Sequence, residues 1–354
     1  MARGKTVVGL DIGSSCVKMI QLKQSKRGYS LQNLGVAPIP PEAIVDGAIM
    51  NSPAIVDAIQ ELMAAQGVKR GREVATSISG HSVIIKKINM PPMSREDLED
   101  SMQWEAEQYI PFDMSEVNLD VDILGTDEET EQMDVLLVAA KKDMINDYTS
   151  VITESGLTPV VMDVDAFALQ NAFELSYGLS QDETVVLVNI GASVISINVV
   201  TNGVSAFTRD IATGGNQFTE EIQKQVNVSH DEAEALKLGG EVGADSDSVV
   251  PQEIEDVIQQ VADPMASEIQ RSLDFFTATS PDVGLSQIYL AGGSASVPAL
   301  FKAIEERSGV PVEILDSFKN IEIDDRKVDP TFIHQATPMW AVVVGLGLRK
   351  AVER

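Results

Sequence analysis

Cysteine and histidine are scarce in this chain of 354 residues, which has one cysteine and three histidines. A single cysteine excludes an internal disulfide and a thiolate metal site. The histidines, His81, His230 and His334, are scattered without the spacing of metal ligands, so we expect no protein-built metal centre. Cys16 alternates with Val17 in a predicted strand, which predicts a small core residue.

Basic residues are also few: 26 lysines and arginines stand against 54 acidic residues, a formal net charge of −28. A surface this negative repels phosphate backbones and anionic lipid headgroups, so we expect no nucleic-acid partner and no direct membrane insertion. Long apolar runs are missing too. The longest, residues 339–348, is shorter than the roughly 20 residues that a membrane span needs. Without a signal-peptide pattern at the start, the sequence predicts a cytoplasmic protein.

One pattern occurs twice: a strand, a glycine-centred turn and a second strand. Residues 8–22 read VGLDIGSSCVKMIQL, and residues 186–200 read VLVNIGASVISINVV. Each copy opens one half of the chain, and such internal repeats indicate like domains that face a cleft. We therefore predict an α/β fold built from duplicated domains.

The turn of each copy has residues suited to binding a phosphate. Glycine permits a tight turn and close approach of a ligand, and successive backbone N–H groups with serine hydroxyls can form an anion-binding nest. Lys18 can place a positive charge on a phosphate, and Asp11 can hold the water shell of Mg²⁺. The predicted phosphate-contacting residues are Asp11, Gly13, Ser14, Ser15 and Lys18 in the first copy, and Asn189, Gly191, Ala192 and Ser193 in the second.

Two further segments predict the nucleoside end of the same site. A Gly-Gly pair at 292–293 ends an apolar strand, which is where ligands bind in α/β sheets. Another pair, at 214–215, follows a strand end, and Glu234 and Lys237 lie on one face of a predicted helix, within reach of ribose and adenine. The alternative for this charged pair is a surface ion pair. The residues predicted here are Gly214, Gly215, Asn216, Glu234, Lys237, Gly292, Gly293 and Ser294.

The first half contains an inserted module, residues 81–157, with the order β-α-β-β-α. Its first helix is predicted over 95–110, with a core face of Leu98, Met102, Ala106, Tyr109 and Ile110. Elsewhere, Ser52 is the predicted N-cap of the first long helix, and a closing helix is predicted over 338–353.

These elements, in this order, resemble the actin-like ATPase superfamily: two phosphate-binding hairpins, an adenosine Gly-Gly turn and a closing C-terminal helix. The place and order of the insertion resemble the extra subdomain of the FtsA branch. The stretches EAIVDGAI (42–49), SISGHSVIIKKINMP (77–91) and QWEAEQYIPFD (103–113) resemble the PilM family of type IV pilus assembly proteins. The resemblance covers essentially the whole chain.

The resemblance implies an actin-like, two-lobed α/β fold in four parts. Subdomain 1A would comprise residues 1–80, 158–182 and 334–354. The FtsA-like inserted subdomain, 1C, would be 81–157. Subdomain 2A would be 183–212 with 286–333, and subdomain 2B would be 213–285.

The resemblance also implies a function: an ATP- and Mg²⁺-binding cytoplasmic scaffold that holds the N-terminal cytoplasmic peptide of PilN. It would thereby connect the inner-membrane alignment complex to the pilus motor and platform proteins, and so serve protein transport and twitching motility, with a homo-oligomer or ring as a possible assembly. Membrane attachment would come through PilN, because no amphipathic tail like that of FtsA follows Arg354.

Hydrolysis is expected to be slow or absent. Asn189 stands where the first copy has Asp11, so one metal-facing charge is missing. In the superfamily's water-orienting segment, which DVDAFA resembles, Asp165 would replace a longer Glu or Gln. Asp165 is therefore a candidate for orienting water, and no residue is assigned as catalytic.

The amino-acid sequence leaves two questions open. Trp104, off the core face of its helix, could line a peptide groove with Tyr109 and Phe112, since aromatic anchors are favoured at interfaces; packing of Trp104 on a neighbouring subdomain is the alternative. The competing functions are an FtsA-like filament-forming division protein and a small-molecule kinase of the actin-like superfamily.

Overall fold

We describe the fold from a computed structural model. It describes residues 6–351 except 128–130, 181, 240–251, 281–282, 325, 327 and 329. Parts of the predicted subdomains 1A and 2B, at residues 1–5, 352–354 and 240–251, therefore lie outside the described residues.

The described residues form two large sheets, a sheet of three strands and a sheet of two strands. The first half contributes β1 (Val8–Ile12), β2 (Cys16–Ser25), β3 (Gly28–Pro38), β4 (Ile44–Val45), β5 (Ala48–Ile49), α1 (Ser52–Ala65), β6 (Glu73–Ile78), β7 (Val83–Met90), α2 (Arg95–Glu105), β8 (Val117–Asp127), β9 (Gln132–Lys141), α3 (Lys142–Ser155), β10 (Thr158–Val164) and α4 (Asp165–Tyr177). The second half contributes β11 (Thr184–Ile190), β12 (Ile195–Thr201), β13 (Val204–Ile211), α5 (Asn216–Val226), α6 (His230–Lys237), α7 (Gln252–Thr279), β14 (Gln287–Ala291), α8 (Pro298–Ser308), β15 (Val312–Ile314), β16 (Ile321–Glu322), α9 (Pro330–Gln335) and α10 (Ala341–Gly347).

The predicted duplication is confirmed by the order of the strands. The first large sheet runs β10-β6-β1-β2-β3-β16, and the second runs β15-β14-β11-β12-β13. In each, an antiparallel three-strand meander opens the half, and later strands add in parallel beside its first strand. Apart from β16, which adds in parallel beside β3 in the first sheet, the two halves are thus copies of one α/β layer, and the predicted mixed α/β architecture is confirmed.

The insertion forms its own three-stranded sheet, in the order β7-β9-β8. Its strands alternate: Val135, Leu137 and Ala139 of β9 pack in a core beneath α2, while the residues between them face the other way. The last helix of the predicted module, α3, packs in a different core, with α1 and the first large sheet. The division into subdomains itself stays a prediction.

Four local predictions need correction. Asn51, and not Ser52, caps α1, because its side chain accepts the amide hydrogen bond of Ala54 at 3.2 Å. The α-helix predicted over 95–110 ends at Glu105 and tightens into a 3₁₀ turn at Ala106–Gln108, so that Tyr109 is 39% exposed and leaves the core face. The closing helix is shorter than predicted and spans Ala341–Gly347.

The fourth correction concerns Cys16, which is half-buried at the edge of a cavity and is not a core residue.

Two helices, α4 and α10, lie between the two large sheets. One face of α4 packs on the second sheet through Leu169 and Phe173, and Ala168 meets the first sheet together with α10. Across this layer, Asn198 of β12 donates hydrogen bonds to the Ala166 carbonyl and the Gln170 side chain, each at 3.1 Å. This buried layer fixes how the two lobes meet.

The close approach of α4 to α10 depends on a glycine. A Cβ atom on Gly345 would overlap the backbone carbonyl of Ala168. Below it, a Cβ on Gly9 of β1 would lie 2.6 Å from the Gly347 nitrogen and 2.7 Å from the Val343 oxygen. On both sides of α10, backbone atoms therefore lie against backbone atoms. No flexible side chain could move aside to make room for an added Cβ atom.

Gly345→Ala should destabilise the protein. The higher helix propensity of alanine would stabilise the protein by about 1 kcal/mol. Overpacking against a rigid carbonyl costs about 1–3 kcal/mol or more, so the net effect is a loss of stability. Urea unfolding followed by circular dichroism should show a clearly lowered midpoint. Gly284→Ala, where the added Cβ meets nothing within 4 Å, is the control. An equally stable Gly345→Ala protein would contradict the interlobe packing described here.

Candidate nucleotide site

A cavity of about 430 Å³ lies between the two lobes, where the two glycine turns face each other. It brings together predicted site residues from distant parts of the chain. Those that line it are Asp11, Gly13, Ser14, Ser15, Lys18, Asp165, Asn189, Gly191, Ala192, Ser193, Asn216, Glu234, Lys237, Gly292, Gly293 and Ser294. Their binding roles stay predictions, but their convergence is a property of the fold.

The two hairpin turns have the same backbone geometry. The Gly13 amide donates to the Cys16 carbonyl at 3.1 Å, and the Gly191 amide donates to the Val194 carbonyl at 3.0 Å. Each glycine amide therefore closes its own turn. The anion-binding nest predicted for the first hairpin therefore has one N–H donor fewer, because the Gly13 amide cannot also donate to a phosphate.

The strands beside the turns differ in charge. Asp11 pairs with Lys18 across β1 and β2, and the Lys18 Nζ lies 2.9 Å from Asp11 Oδ2. The corresponding pair across β11 and β12 is Asn189 with Ser196. Both charges of the first copy are thus replaced by neutral groups in the second.

Lys18 remains protonated in this setting. Burial by itself would lower its pKa, but the charge of Asp11, followed by Cys16, the hydrogen bond to Asp11 and the charge of Asp165, raises the pKa above its usual range. The ammonium is therefore a fixed positive charge beside the first turn.

Asp165, the first residue of α4, faces the cavity close to this ion pair. Burial raises its pKa to about 6, and the charge of Asp11 adds to the rise, while hydrogen bonds from Ser77 and Ser79 oppose it. The Ser77 hydroxyl donates to Asp165 Oδ1 at 2.6 Å. The carboxyl group thus takes up protons at a pH where an ordinary aspartate is fully ionised.

Gly214 and Gly215 lie behind the wall of the cavity, outside its lining. The Gly215 amide donates to the Gly191 carbonyl at 2.9 Å, and a Cβ on Gly214 would lie 2.6 Å from the oxygens of Gly191 and Ala192. These glycines let the start of α5 dock on the second hairpin. Asn216, the residue that follows them, does line the cavity.

Glu234 and Lys237 of α6 form the expected pair, with Lys237 Nζ 2.6 and 2.7 Å from the two carboxylate oxygens. Lys237 also donates to the Thr219 hydroxyl at 3.2 Å, and Glu234 accepts a short hydrogen bond from that hydroxyl. Because Lys237 is 5% exposed, this is a buried network at the cavity wall and not a surface ion pair.

Sequence reasoning missed several lining residues, among them Ser79, Tyr148, Leu238 and Met339. Ser79 had a signal, since it directly follows β6, a parallel strand whose carboxyl end faces the cleft. Burial, followed by the charges of Asp165 and Asp11, raises the pKa of Tyr148, which keeps its phenol protonated. Tyr148, Leu238 and Met339 had no signal in the sequence, because only tertiary packing brings them to the cavity.

A second cavity, of about 620 Å³, separates the inserted sheet from β10 and α4; we call it the module groove. Leu136 and Val138 of β9 line it, on the face that α2 leaves uncovered. At its far wall Asp163, 5% exposed, pairs with Arg349 at 2.5 Å.

Trp104, Tyr109 and Phe112 do not line the module groove. Trp104 is 75% exposed on α2, so in the described chain it is not packed on a neighbouring subdomain. Phe112 is half-buried beneath the Lys141 ammonium, 4.4 Å from the ring centroid. These aromatic residues belong to the outer side of the inserted module.

Within the described residues, no cluster of three or more His, Cys, Asp or Glu side chains could hold a metal ion. No helix in the same residues is long and apolar enough to cross a membrane.

The fold is that of actin-like proteins. MreB5 of Spiroplasma citri bound to AMPPNP aligns with a TM-score of 0.52 and 14% identity, over 96% of this chain and 94% of that one. At this identity the likeness shows the fold alone. The cell division protein FtsA of Bacillus subtilis (strain 168) is 24% identical over 390 residues, which cover 98% of this chain and 83% of FtsA.

Similarity is higher to a chain of the PilM-PilN type IV pilus biogenesis complex. That chain aligns with a TM-score of 0.85 and 28% identity over 99% of both chains. A family model described as type IV pilus assembly protein PilM matches residues 9–351, nearly the whole chain. The chain belongs to the PilM family of type IV pilus assembly proteins.

Proposed function

We propose that this protein is a cytoplasmic, ATP-binding scaffold of the type IV pilus machine. It holds the N-terminal cytoplasmic peptide of PilN and so connects the inner-membrane alignment complex to the pilus motor. The observation that carries the nucleotide part is the meeting of the two hairpin turns and the Gly292–Gly293 turn at one cavity. Membership of the PilM family and the likeness to the PilM-PilN complex support the partner.

The charges around the cavity suit a nucleotide. Lys18 stands beside the first turn and can donate to a phosphate, and the hydroxyls of Ser14 and Ser193 line the cavity at the two turns. Gly293 leaves open space for a base or ribose, because a Cβ atom there meets nothing within 4 Å. Glu234, held in place by Lys237, can offer an acceptor to ribose hydroxyls.

The residues fit a magnesium ion that arrives with the nucleotide. Mg²⁺ keeps several waters and is usually held by one or two carboxylates plus substrate phosphates. Asp11, 8% exposed at the cavity, can hold one of these waters, and Asn189 can accept a second hydrogen bond without adding charge. When bound, the ion would neutralise phosphate charge.

Hydrolysis by this site should be slow. Asp165 is held by a hydrogen bond from Ser77, and its side chain is shorter than the Glu or Gln usual at this position, so it is poorly placed to orient the attacking water. Asn189 contributes no charge to the metal shell. We therefore propose that the bound nucleotide acts mainly as a ligand that holds the lobes together.

The partner peptide would lie in the module groove. This groove has apolar walls on the uncovered face of the inserted sheet and a half-exposed guanidinium, Arg349, at one wall. The edge strands β8 and β10 border it, and edge strands carry unpaired backbone groups that can pair with an extended peptide. The outer surface with Trp104, expected from the sequence, is the competing location.

Gly293→Val should abolish nucleotide binding and leave the fold unchanged. The added side chain projects into open space within the cavity, so it blocks the ligand without a clash. Thermal unfolding with and without Mg·ATP measures this, because a ligand at roughly 100 times its Kd stabilises the native state by about 2.7 kcal/mol.

In that assay the unmodified protein should gain thermal stability with Mg·ATP and Gly293→Val should not. Gly284→Val adds the same side chain in open space outside the cavity and should keep the gain. No gain in the unmodified protein at millimolar Mg·ATP would overturn the proposed nucleotide site.

Asn189→Asp should raise steady-state ATP hydrolysis, on the order of tenfold, which corresponds to about 1.4 kcal/mol of barrier. The reason is the restored second carboxylate near the metal. Phosphate release under saturating Mg·ATP measures it, and Asn227→Asp, outside the cavity, is the matched control. A variant that still binds Mg·ATP but hydrolyses it no faster would contradict the role given to Asn189.

Val138→Lys should weaken binding of a synthetic PilN N-terminal peptide by tenfold or more, since burying an unpaired charge in an apolar groove costs about 2 kcal/mol or more. Fluorescence anisotropy of the labelled peptide measures it. Thr126→Lys, an exposed position of the same sheet, should bind normally. Loss of binding in Trp104→Ala together with normal binding in Val138→Lys would place the peptide on the outer surface of α2.

A further inference from the structure

The inserted module joins the first lobe at one point. The chain enters it after β6 through residues 79–82 and leaves it where β9 meets α3. These two crossings are tied together, because the Lys141 amide donates to the Ser82 carbonyl at 3.1 Å. Segment 79–82, which we call the hinge segment, is therefore the pivot about which the module can turn against the first lobe.

The hinge segment is also bonded to the second lobe. The Gly80 amide donates to Asp210 Oδ2 of β13 at 2.6 Å, a distance typical of a strong, charge-assisted bond. Gly80 has a φ of +91°, a conformation that suits glycine, and its backbone is buried, while Asp210 stays accessible from the gap between the lobes. The Asp210 carboxylate of the second lobe thus binds the hinge segment, which connects the inserted module to the first lobe.

The hinge segment lines two cavities of this region, and the residue after it lines the third. Ser79 lines the nucleotide cavity and bonds to Asp165. Ser79 and Gly80 line a smaller cavity of about 320 Å³ between β7 and β13, together with Asp210. Val83, directly after the segment, lines both that cavity and the module groove.

From this geometry we infer that the bond between Asp210 and Gly80 couples the nucleotide cavity to the module groove. Any change in the angle between the lobes moves Asp210 relative to the first lobe and so displaces the pivot. Since one wall of the groove is the inserted sheet and the other is β10 of the first lobe, turning the module changes the width of the groove.

The sign of the coupling follows from the state described here. In this state the lobes are in contact, the bond to Gly80 is formed and the groove is open. A nucleotide that bridges the two hairpin turns stabilises this arrangement, so it should strengthen peptide binding. Linkage requires that the peptide strengthen nucleotide binding by the same factor.

The inference rests on the proposed function, because it concerns the same two sites. Its test measures the affinity of the full chain for a labelled PilN N-terminal peptide with and without saturating Mg·AMPPNP. The expected gain is about tenfold, within the usual range of coupling between sites. In Asp210→Ala the gain should vanish, while each ligand alone should still bind, because Asp210 itself lines neither site. Nucleotide affinity is measured separately, because Ser196, the cross-strand neighbour of Asp210, lines the nucleotide cavity.

Asp274→Ala is the matched control, because it removes one exposed acidic side chain from the same lobe, far from the hinge segment. Asp210→Asn keeps an oxygen acceptor, although a neutral one, and should retain part of the gain. If Asp210→Ala does not fold, this variant carries the test, together with hydrogen exchange of segment 79–83 in the unmodified protein. Exchange there should slow when Mg·AMPPNP is added.

The outcomes separate the two claims. Peptide and nucleotide that both bind, with no gain in the unmodified protein or an undiminished gain in Asp210→Ala, would overturn the coupling and leave the proposed function intact. Failure of either ligand to bind the unmodified protein at all would overturn the proposed function. Unchanged exchange at 79–83 would also count against the coupling.

Discussion

The contact of α4 and α10 between the two sheets is the constraint on which the rest of the structure depends. Each helix is shared: α4 packs on the second sheet with one face and meets α10 and the first sheet with another. Small residues, Gly9, Gly345 and Ala168, bring backbones together there. Because this layer allows little adjustment, the two hairpin turns are held across one cavity, and Asp165, which begins α4, is fixed at its floor.

The duplication is complete in strand order and incomplete in chemistry. In the first copy, Asp11 and Lys18 neutralise each other across the hairpin, and in the second copy Asn189 and Ser196 occupy the corresponding positions. Loss of the carboxylate alone would have left an unpaired buried ammonium, which is costly. Replacement of both partners removes that cost. The second hairpin therefore keeps its backbone turn, which can still support a phosphate, without the charge that a metal-dependent reaction uses.

The inserted module places a second cavity beside the first. One face of its sheet is covered by α2, and the other, with Leu136 and Val138, is left to form the module groove. Both chain crossings of the module converge near Gly80, next to the nucleotide cavity. Ser79, at one end of this connection, lines the first cavity, and Val83, at the other end, lines the module groove.

The sequence by itself determined the duplicated α/β fold, the family and the segments that meet at the cavity. These follow from strand alternation, from glycines at turns and from local motifs, which neighbouring residues specify. It did not reveal that the Gly13 amide donates a hydrogen bond within its own turn. Nor did it show that Tyr109 leaves the core face of its helix or that Cys16 lies at the edge of the cavity. Nor did it reveal Tyr148, the module groove, or the bond from Asp210 to Gly80, 130 positions apart in the chain. Only the tertiary structure decided these features, because each depends on the packing of elements that are distant in sequence and carry no local signal of one another.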